Sequence, residues 1–393
     1  MNKICFVIQR YGLEVNGGAE LLCMMLAERL TYLFEVDVVT TKAISYMTWE
    51  DEYKNDQEVI NGVNVYRFSV TRPRVKEVFD EINGKFLTGQ LKECDEQEWI
   101  DKQGPYSPKL IEYLKNNNNT YDVFIFLGYL YYPTVMGMVH VKDKAIFMPL
   151  AHDEPFLRIR KIRKEFYMPR AFFFNTEEER KLVRSKFLNY DIPYLIGGSG
   201  VEIPQSINSI RFCEKYNINN YIIYVGRIDE GKNCHEMFDF FLKFKKEHPS
   251  DLKLVLMGKP VIDIPEDDDI ISLGFVSDED KYDGLMGAKF LLLPSKYESL
   301  SMVVLEAFSL GKPVLVNGNC EVLKAHCEKS EGGFYYKKYI GFESKMNILL
   351  NNPELCKIMG ENGQKYVKKN YQWDVIVSKL SKLIEYVISN PIN

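Results

Sequence analysis

Residues 290–316 read FLLLPSKYESLSMVVLEAFSLGKPVLV, and the reading of this stretch decides the fold. Phe290-Leu291-Leu292-Leu293 is an apolar run closed by Pro294, the pattern of a short buried strand. A helical pattern follows from about Ser301 to Leu310, and Gly311 stands where a helix C-terminus takes glycine. Lys312-Pro313 stops the helix, and Val314-Leu315-Val316 starts another buried strand. This is a βαβ unit. Its first loop, Ser295 to Leu300, leaves a strand's C-terminal end, the edge at which open α/β sheets bind ligands.

Two acids in the unit stand out. Glu298 lies in that loop. Glu306 sits inside an otherwise apolar helix, between Leu305 and Ala307, where a carboxylate is costly unless something hydrogen-bonds it. Some 60 residues earlier, Tyr224-Val225-Gly226-Arg227-Ile228-Asp229-Glu230-Gly231-Lys232 follows another apolar strand. Gly226 lets the chain turn away from the sheet. Arg227 and Lys232 then offer a guanidinium fork and a point charge, a pairing suited to a diphosphate.

The rest of the chain supplies more of the same architecture. Its 393 residues suggest two or three domains, and 46% hydrophobic with 27% charged residues is an ordinary globular composition. A net charge of −5 gives no global field for nucleic acid. The eight cysteines are scattered without C-x-x-C, which argues against zinc and disulfides and for a reducing cytoplasm. The apolar run Ile4 to Ile8 is ended by Gln9-Arg10, too short for a signal peptide, and no stretch is apolar enough to span a membrane.

Ile4 to Ile8 reads as a first strand, followed by a loop to Gly17-Gly18 and a helix from Ala19 to Leu30, a geometry for phosphate at a helix N-terminus. The plainer reading of Gly17-Gly18 is a tight turn needing positive φ. Val36 to Thr40 is a strand. Tyr46 to Tyr66 is a polar insertion ending in the turn Asn61-Gly62 and a strand from Val63 to Phe68. Pro73 to Asp101 reads as one amphipathic helix. Strands follow at Tyr121 to Gly128, Ala145 to Leu150 and Ala171 to Asn175, the last leading into a capping box of Thr176 and Glu179. The aromatics Tyr129 to Tyr132 suit either sugar stacking or core packing. His152 stands just past a strand end, with Asp153 as the expected partner of its imidazole. Arg158 to Lys164 is the one basic cluster, read as a solvated helix face with anionic lipid as the alternative. Ile196 to Pro204 is a glycine-rich hinge. A second series then runs Tyr221 to Val225, a helix from Cys234 to Glu247, Leu252 to Met257, Ile270 to Leu273, the unit described above and Phe334 to Tyr336, with a last helix from Trp373 to Ile388. Strands alternating with helices mean parallel sheets.

PSKYESLSMVVLEAFSLGKPVLV resembles the E-x7-E signature of the retaining, nucleotide-sugar-dependent glycosyltransferases of family 4, in its flanking residues as well as its spacing. GR-x-x-x-x-K at Gly226 to Lys232, Gly17-Gly18-Ala19-Glu20 and Ala151-His152-Asp153 resemble the same family's other motifs. The departure is Ser299-Leu300-Ser301, where many members have Gly-Phe-Gly; backbone N–H groups at the helix start remain able to bind an anion. The resemblance implies a GT-B fold: two Rossmann-like domains with parallel sheets facing across a cleft. Residues 1–200 are then the acceptor side, with the terminal helix 373–390 packing back on it, and 201–372 bind the nucleotide sugar.

It implies roles too. Arg227 and Lys232 hold the diphosphate, Glu306 the ribose hydroxyls and Glu298 the donor sugar, with His152 close to that sugar. Gly17 and Gly18 face the donor phosphates, and Gly226, Ser299, Leu300 and Ser301 complete the donor site. The expected activity is sugar transfer from a nucleotide sugar to a glycan or lipid-linked acceptor in surface polysaccharide biosynthesis, with retention, without cofactor or metal, in the cytoplasm or at the inner face of the membrane. Asp267-Asp268-Asp269 invites a metal-binding D-x-D reading but suits a solvated turn. The competing readings are a non-catalytic partner of the same shape, expected to lack Arg227, Lys232 or Glu298, and a nucleotide-sugar epimerase, expected to lack the E-x7-E context.

Overall fold

The computed structural model describes residues 1–391, which divide into two compact units, Met1–Gly198 with the described chain from Asp374 on, and Ser199–Trp373. The first is built on β1 (Lys3–Val7), β2 (Glu35–Thr41), β3 (Gln57–Ile60), β4 (Val63–Phe68), β5 (Val123–Leu127), β6 (Ala145–Met148), β7 (Ala171–Phe174) and β8 (Tyr194–Ile196), in the order β3-β4-β2-β1-β5-β6-β7-β8. The second holds β9 (Tyr221–Val225), β10 (Lys253–Met257), β11 (Ile270–Ser272), β12 (Leu291–Leu293), β13 (Val314–Asn317) and β14 (Gly333–Tyr336), in the order β11-β10-β9-β12-β13-β14.

Every pairing is parallel except β3 with β4. Central strands such as Val123-Phe124-Ile125-Phe126-Leu127 and Leu291-Leu292-Leu293 are buried at every position. Helices cover both faces of a parallel sheet, so these strands carry no polar alternation. That is why continuous apolar runs locate them.

The edges differ from the sequence-based expectation. β3 lies inside what reads as a polar insertion: Gln57 and Val59 face solvent on the sheet's outermost strand, so the apolar signal is lost. Asn61 (φ 49°) and Gly62 (φ 84°) close the β3–β4 hairpin, both left-handed as a two-residue turn of this hand requires. β8, Tyr194-Leu195-Ile196 at the other edge, is three residues long and is not among the expected strands. The single helix expected over Pro73 to Asp101 is two, Lys76–Leu87 and Glu96–Gln103, with a 3₁₀ turn at Glu93–Asp95. Gly89, at φ 74°, breaks the first, and the Lys85 carbonyl accepts from the N–H groups of both Gln90 and Leu91.

Thr176 caps the helix Glu177–Phe187 by accepting from the Glu179 N–H. The Glu179 carboxylate does more than close that box. It accepts from the N–H groups of Asn175 and Ala151, each at 2.7 Å, and so ties the ends of β6 and β7 together. The helix Trp373–Ser389 packs in the first unit from Asp374 on, where Lys379 donates to the Ile196 carbonyl. No helix among the described residues is long and apolar enough to cross a membrane.

One buried acid has no such support. Glu165 is 1% exposed, and neither carboxyl oxygen has a hydrogen-bond partner among the described residues. Burial holds its carboxyl well above the usual carboxylate range. A folded pKa above the unfolded one means stability that is present below the unfolded value and lost as pH rises towards the folded value. Glu165→Gln is neutral throughout, so its melting temperature should fall less than the parent's between about pH 5 and about pH 8. Thermal melts across that range check this, and parallel curves would sink it.

Candidate active site

Strand order reverses between β9 and β12 in the second unit, since β9 has β10 on one side and β12 on the other. The loops leaving the C-terminal ends of β9 and β12 therefore run apart from a shared crevice, the position where open α/β sheets bind ligands. The first loop carries Arg227 and Lys232, the second Glu298. The structure brings the two loops together: Lys232 Nζ lies 2.6 Å from Glu298 Oε1, across 66 residues of sequence.

Local geometry explains how each group is held. Gly226 has φ +150°, open to glycine but not to residues with a Cβ, and its carbonyl passes so close to Gly258 that a Cβ there would sit 1.8 Å from it. Asp229 accepts from the Lys232 N–H at 2.7 Å and pairs with Arg227 at 3.2 Å, so one carboxylate shapes the loop and restrains the guanidinium. Asn233 and Asn317 both donate to the Pro294 carbonyl, fixing the start of the Glu298 loop.

Glu306 is 9% exposed on the helix Met302–Ser309, and its compensation comes from the helix Asp278–Gly287. Lys281 Nζ and the Tyr282 hydroxyl donate to Oε1 at 3.1 and 2.9 Å. Burial works against the Lys281 ammonium, but the Glu306 charge outweighs it and its pKa is raised.

The Ser299-Leu300-Ser301 departure has a structural cost. Ser301 caps the helix at φ 68°, ψ 81°, the left-handed conformation for which glycine stands in the related motif. Its hydroxyl is buried without a partner among the described residues. Leu300 is buried in the core, and the Leu300 carbonyl accepts from His326 Nε2 at 2.7 Å. A donor contact at Leu300 is thus a matter of its backbone.

In the first unit, Gly17 is extended (φ 169°), so the tight turn with positive φ expected there is not what glycine provides. A Cβ on Gly17 would lie 2.1 Å from Glu20 Oε2 and 3.1 Å from an Arg10 nitrogen. Glu20 cannot yield, because Arg10 Nε and Nη2 and Gln9 Nε2 all hold its Oε1. Gly17 thus makes room for a buried ion pair that binds the β1 loop to the helix Gly18–Leu30. A Cβ on Gly18 would meet nothing within 4 Å, so backbone there is open to a ligand.

His152 lies past the end of β6, and its partner is not the residue expected. Asp153 is exposed and pairs with Lys186 at 2.8 Å. Glu154 faces the imidazole instead, with Oε1 3.2 Å from His152 Nε2. Tyr129, 2% exposed, donates to the same carboxyl oxygen, and Tyr132 is also buried, which makes both of them packing residues rather than a stacking surface.

Two other clusters are accounted for by their neighbours. Asp267 to Asp269 precedes β11 and so lies at the N-terminal edge of the sheet, opposite the Lys232–Glu298 crevice; Asp269 pairs with Lys245 and Lys253. Within the basic cluster, Arg160 pairs with Glu93 and Arg163 lies over the Phe187 ring, 5.2 Å from its centroid, while Arg158 and Lys164 are exposed. Sequence reasoning missed Lys281, Tyr282, His326, Arg10 and Glu154. For Glu306 and Glu20 the signal was present, an acid on a buried helix face, but nothing in the sequence names the cation that answers it.

Residues 208–366 match the family described as Glycosyl transferases group 1. An uncharacterised glycosyltransferase of Methanocaldococcus jannaschii is 25% identical, the alignment covering 96% of each chain. The capsular polysaccharide biosynthesis glycosyltransferase CapM of Staphylococcus aureus is 25% identical over 43% of this chain and 48% of its own. The structure of Anabaena HepE in complex with UDP and glucose superposes with a TM-score of 0.71 at 13% identity, covering 98% of this chain and 100% of that one. Both units therefore belong to the GT-B fold.

The strain at Ser301 can be measured. Relieving a left-handed non-glycine residue is worth roughly 0.5–1 kcal/mol after glycine's entropy is allowed for, so Ser301→Gly should raise unfolding free energy by about that much and Ser301→Val should lower it. Urea unfolding checks both signs.

Proposed function

From the premise that the chain is a glycosyltransferase of group 1 type, we propose that it moves a sugar from a nucleotide diphosphate donor to a glycan or lipid-linked acceptor, with retention and without metal. The observation that carries this reading is the meeting of Lys232 and Glu298 at the strand-order reversal of the second unit, with Arg227 on the same loop as Lys232. Two cations answer a diphosphate whose charge grows as it leaves, and fixed charges aimed at a developing anion are the most effective electrostatic catalysts. Glu298, 2.6 Å from Lys232, is placed to accept from hydroxyls of the sugar carried by that diphosphate. Glu306, already ordered by Lys281 and Tyr282, is the carboxylate assigned to the ribose.

The proposal of retention is supported by the roles given to the groups identified. An inverting enzyme needs a general base opposite the leaving group, and a double displacement needs a carboxylate nucleophile under the anomeric carbon. Glu298 and Glu306 are committed to hydroxyls, and His152 to the sugar side. The reading is therefore front-face transfer. The bond from the anomeric carbon to the diphosphate oxygen breaks, the acceptor oxygen bonds to the same face, and its proton passes to the departing phosphate. The countercharge comes from Arg227, Lys232 and the helix start at Ser301. The acidic triplet at Asp267 to Asp269 lies at the other edge of the sheet, so metal is not part of the proposal. CapM's role and HepE's UDP support a surface-glycan product and a uridine donor.

A thermal-shift panel of UDP-, GDP-, ADP- and dTDP-sugars identifies the donor, since a ligand raises the melting temperature according to its occupancy. With that donor, Arg227→Ala and Lys232→Ala should each keep the parent fold and lose about a hundredfold or more in turnover. Near-normal rates in both would remove the clamp assignment. EDTA should leave turnover unchanged, and rescue of an EDTA-killed enzyme by magnesium or manganese would refute the metal-free reading.

A further inference from the structure

We propose that Glu154, held by the Tyr129 hydroxyl, is the positioning residue for His152: its carboxyl grips the imidazole at Nε2, while Glu179 pins the backbone on which that imidazole stands. Four features of the loop after β6 support this. His152 Nε2 and the Tyr129 hydroxyl converge on one oxygen, Glu154 Oε1. The Glu154 N–H donates to the His152 carbonyl at 2.8 Å, a three-residue turn that folds the loop back on itself. Glu179 accepts from the N–H of Ala151, the residue before His152. Asp153, the neighbour in sequence, is turned out to Lys186 and is unavailable to the ring.

The surroundings decide what the pair does. The titratable and charged groups around it include Tyr129 from the loop after β5, Asp153 on its own loop, and Glu179 and Lys186 from the helix Glu177–Phe187. Lys186 is neutralised by Asp153, and Glu179 is turned to backbone N–H groups. Burial pushes the Glu154 carboxyl up to about 7 and that of Glu179 to about 8. Glu154 Oε1 lies 3.2 Å from the imidazole Nε2, close enough for the two sites to be coupled. A ring gripped at one edge turns its other edge in a fixed direction, the requirement for meeting a single sugar hydroxyl. Only this last step rests on the transferase reading; the His152–Glu154 coupling does not.

Histidine-selective 15N NMR of the full chain, with no donor or acceptor present, tests the coupling directly. The resonance lost in His152→Gln assigns the ring. In the parent protein its titration should show two inflections, one from the ring and one from Glu154. Glu154→Gln should remove the second and lower the ring midpoint by about one pH unit, a tenfold change in proton affinity. Asp153→Asn should keep both inflections. A single inflection in the parent overturns the proposal without any variant, which keeps the test decisive if Glu154→Gln fails to fold. A midpoint that moves with Asp153→Asn and not with Glu154→Gln overturns it as well. Since no sugar nucleotide enters, a failure here leaves the transferase reading standing, and absent turnover leaves this coupling standing.

Discussion

An ammonium and a carboxylate 2.6 Å apart, Lys232 and Glu298, are the constraint on which the second unit's crevice depends. Each belongs to a loop that leaves a buried parallel strand, and the two strands are neighbours only because chain order reverses between them. A cation or an anion alone at that edge would be a costly, half-desolvated charge. Together they hold the two loops at a fixed separation, and Asn233 and Asn317 reinforce it through the Pro294 carbonyl. Arg227 adds its charge from the same loop under the control of Asp229, so the crevice keeps its cations without collapsing onto them.

The same economy recurs in the way buried acids are treated. Glu20 is answered by Arg10 and Gln9, Glu306 by Lys281 and Tyr282, Glu179 by backbone N–H groups, and Glu154 by Tyr129 and His152. Hydrogen bonds to the charged form favour ionisation, whereas burial without enough of them favours the neutral acid. Glu154 and Glu179 fall on the second side, and their raised pKa values follow from it. Glu165 is the exception, buried with no hydrogen-bond partner among the described residues. Glu154 lies on a loop at a strand end, whereas Glu20, Glu179 and Glu306 lie on helices and reach their partners from there.

Glycine and serine show how one motif position can be filled at different cost. Gly226 and Gly17 are needed for different reasons, one for a backbone conformation and the other for room beside an ion pair. Ser301 takes a conformation in which glycine is at ease and still starts a well-formed helix. The surrounding core, with Leu300 buried and its carbonyl held by His326, over-determines the turn.

What the sequence determined by itself was whatever depends on short-range pattern. Apolar runs bounded by Pro294 or Gly226 located the central strands, because a strand covered on both faces has no polar positions to hide it. Arg227, Lys232, Glu298 and Glu306 could be singled out by type and position, at strand ends and on a buried helix face, while the roles proposed for them came from the family resemblance. Edge strands β3 and β8 were not recognised, since β3 carries the polar Gln57 and Glu58 and β8 is only three residues long, and the break at Gly89 hid inside an amphipathic pattern. Only the tertiary structure decided who meets whom. Lys232 finds Glu298 across 66 residues and Glu306 finds Lys281 across 25, through strand order and helix packing. His152 turns to Glu154 rather than to the adjacent Asp153, because the loop folds back on itself and Lys186 draws Asp153 away. Adjacency in the chain orders residues along a line; hydrogen bonds and charge pairing are satisfied in space, and that is where the choice of partner is made.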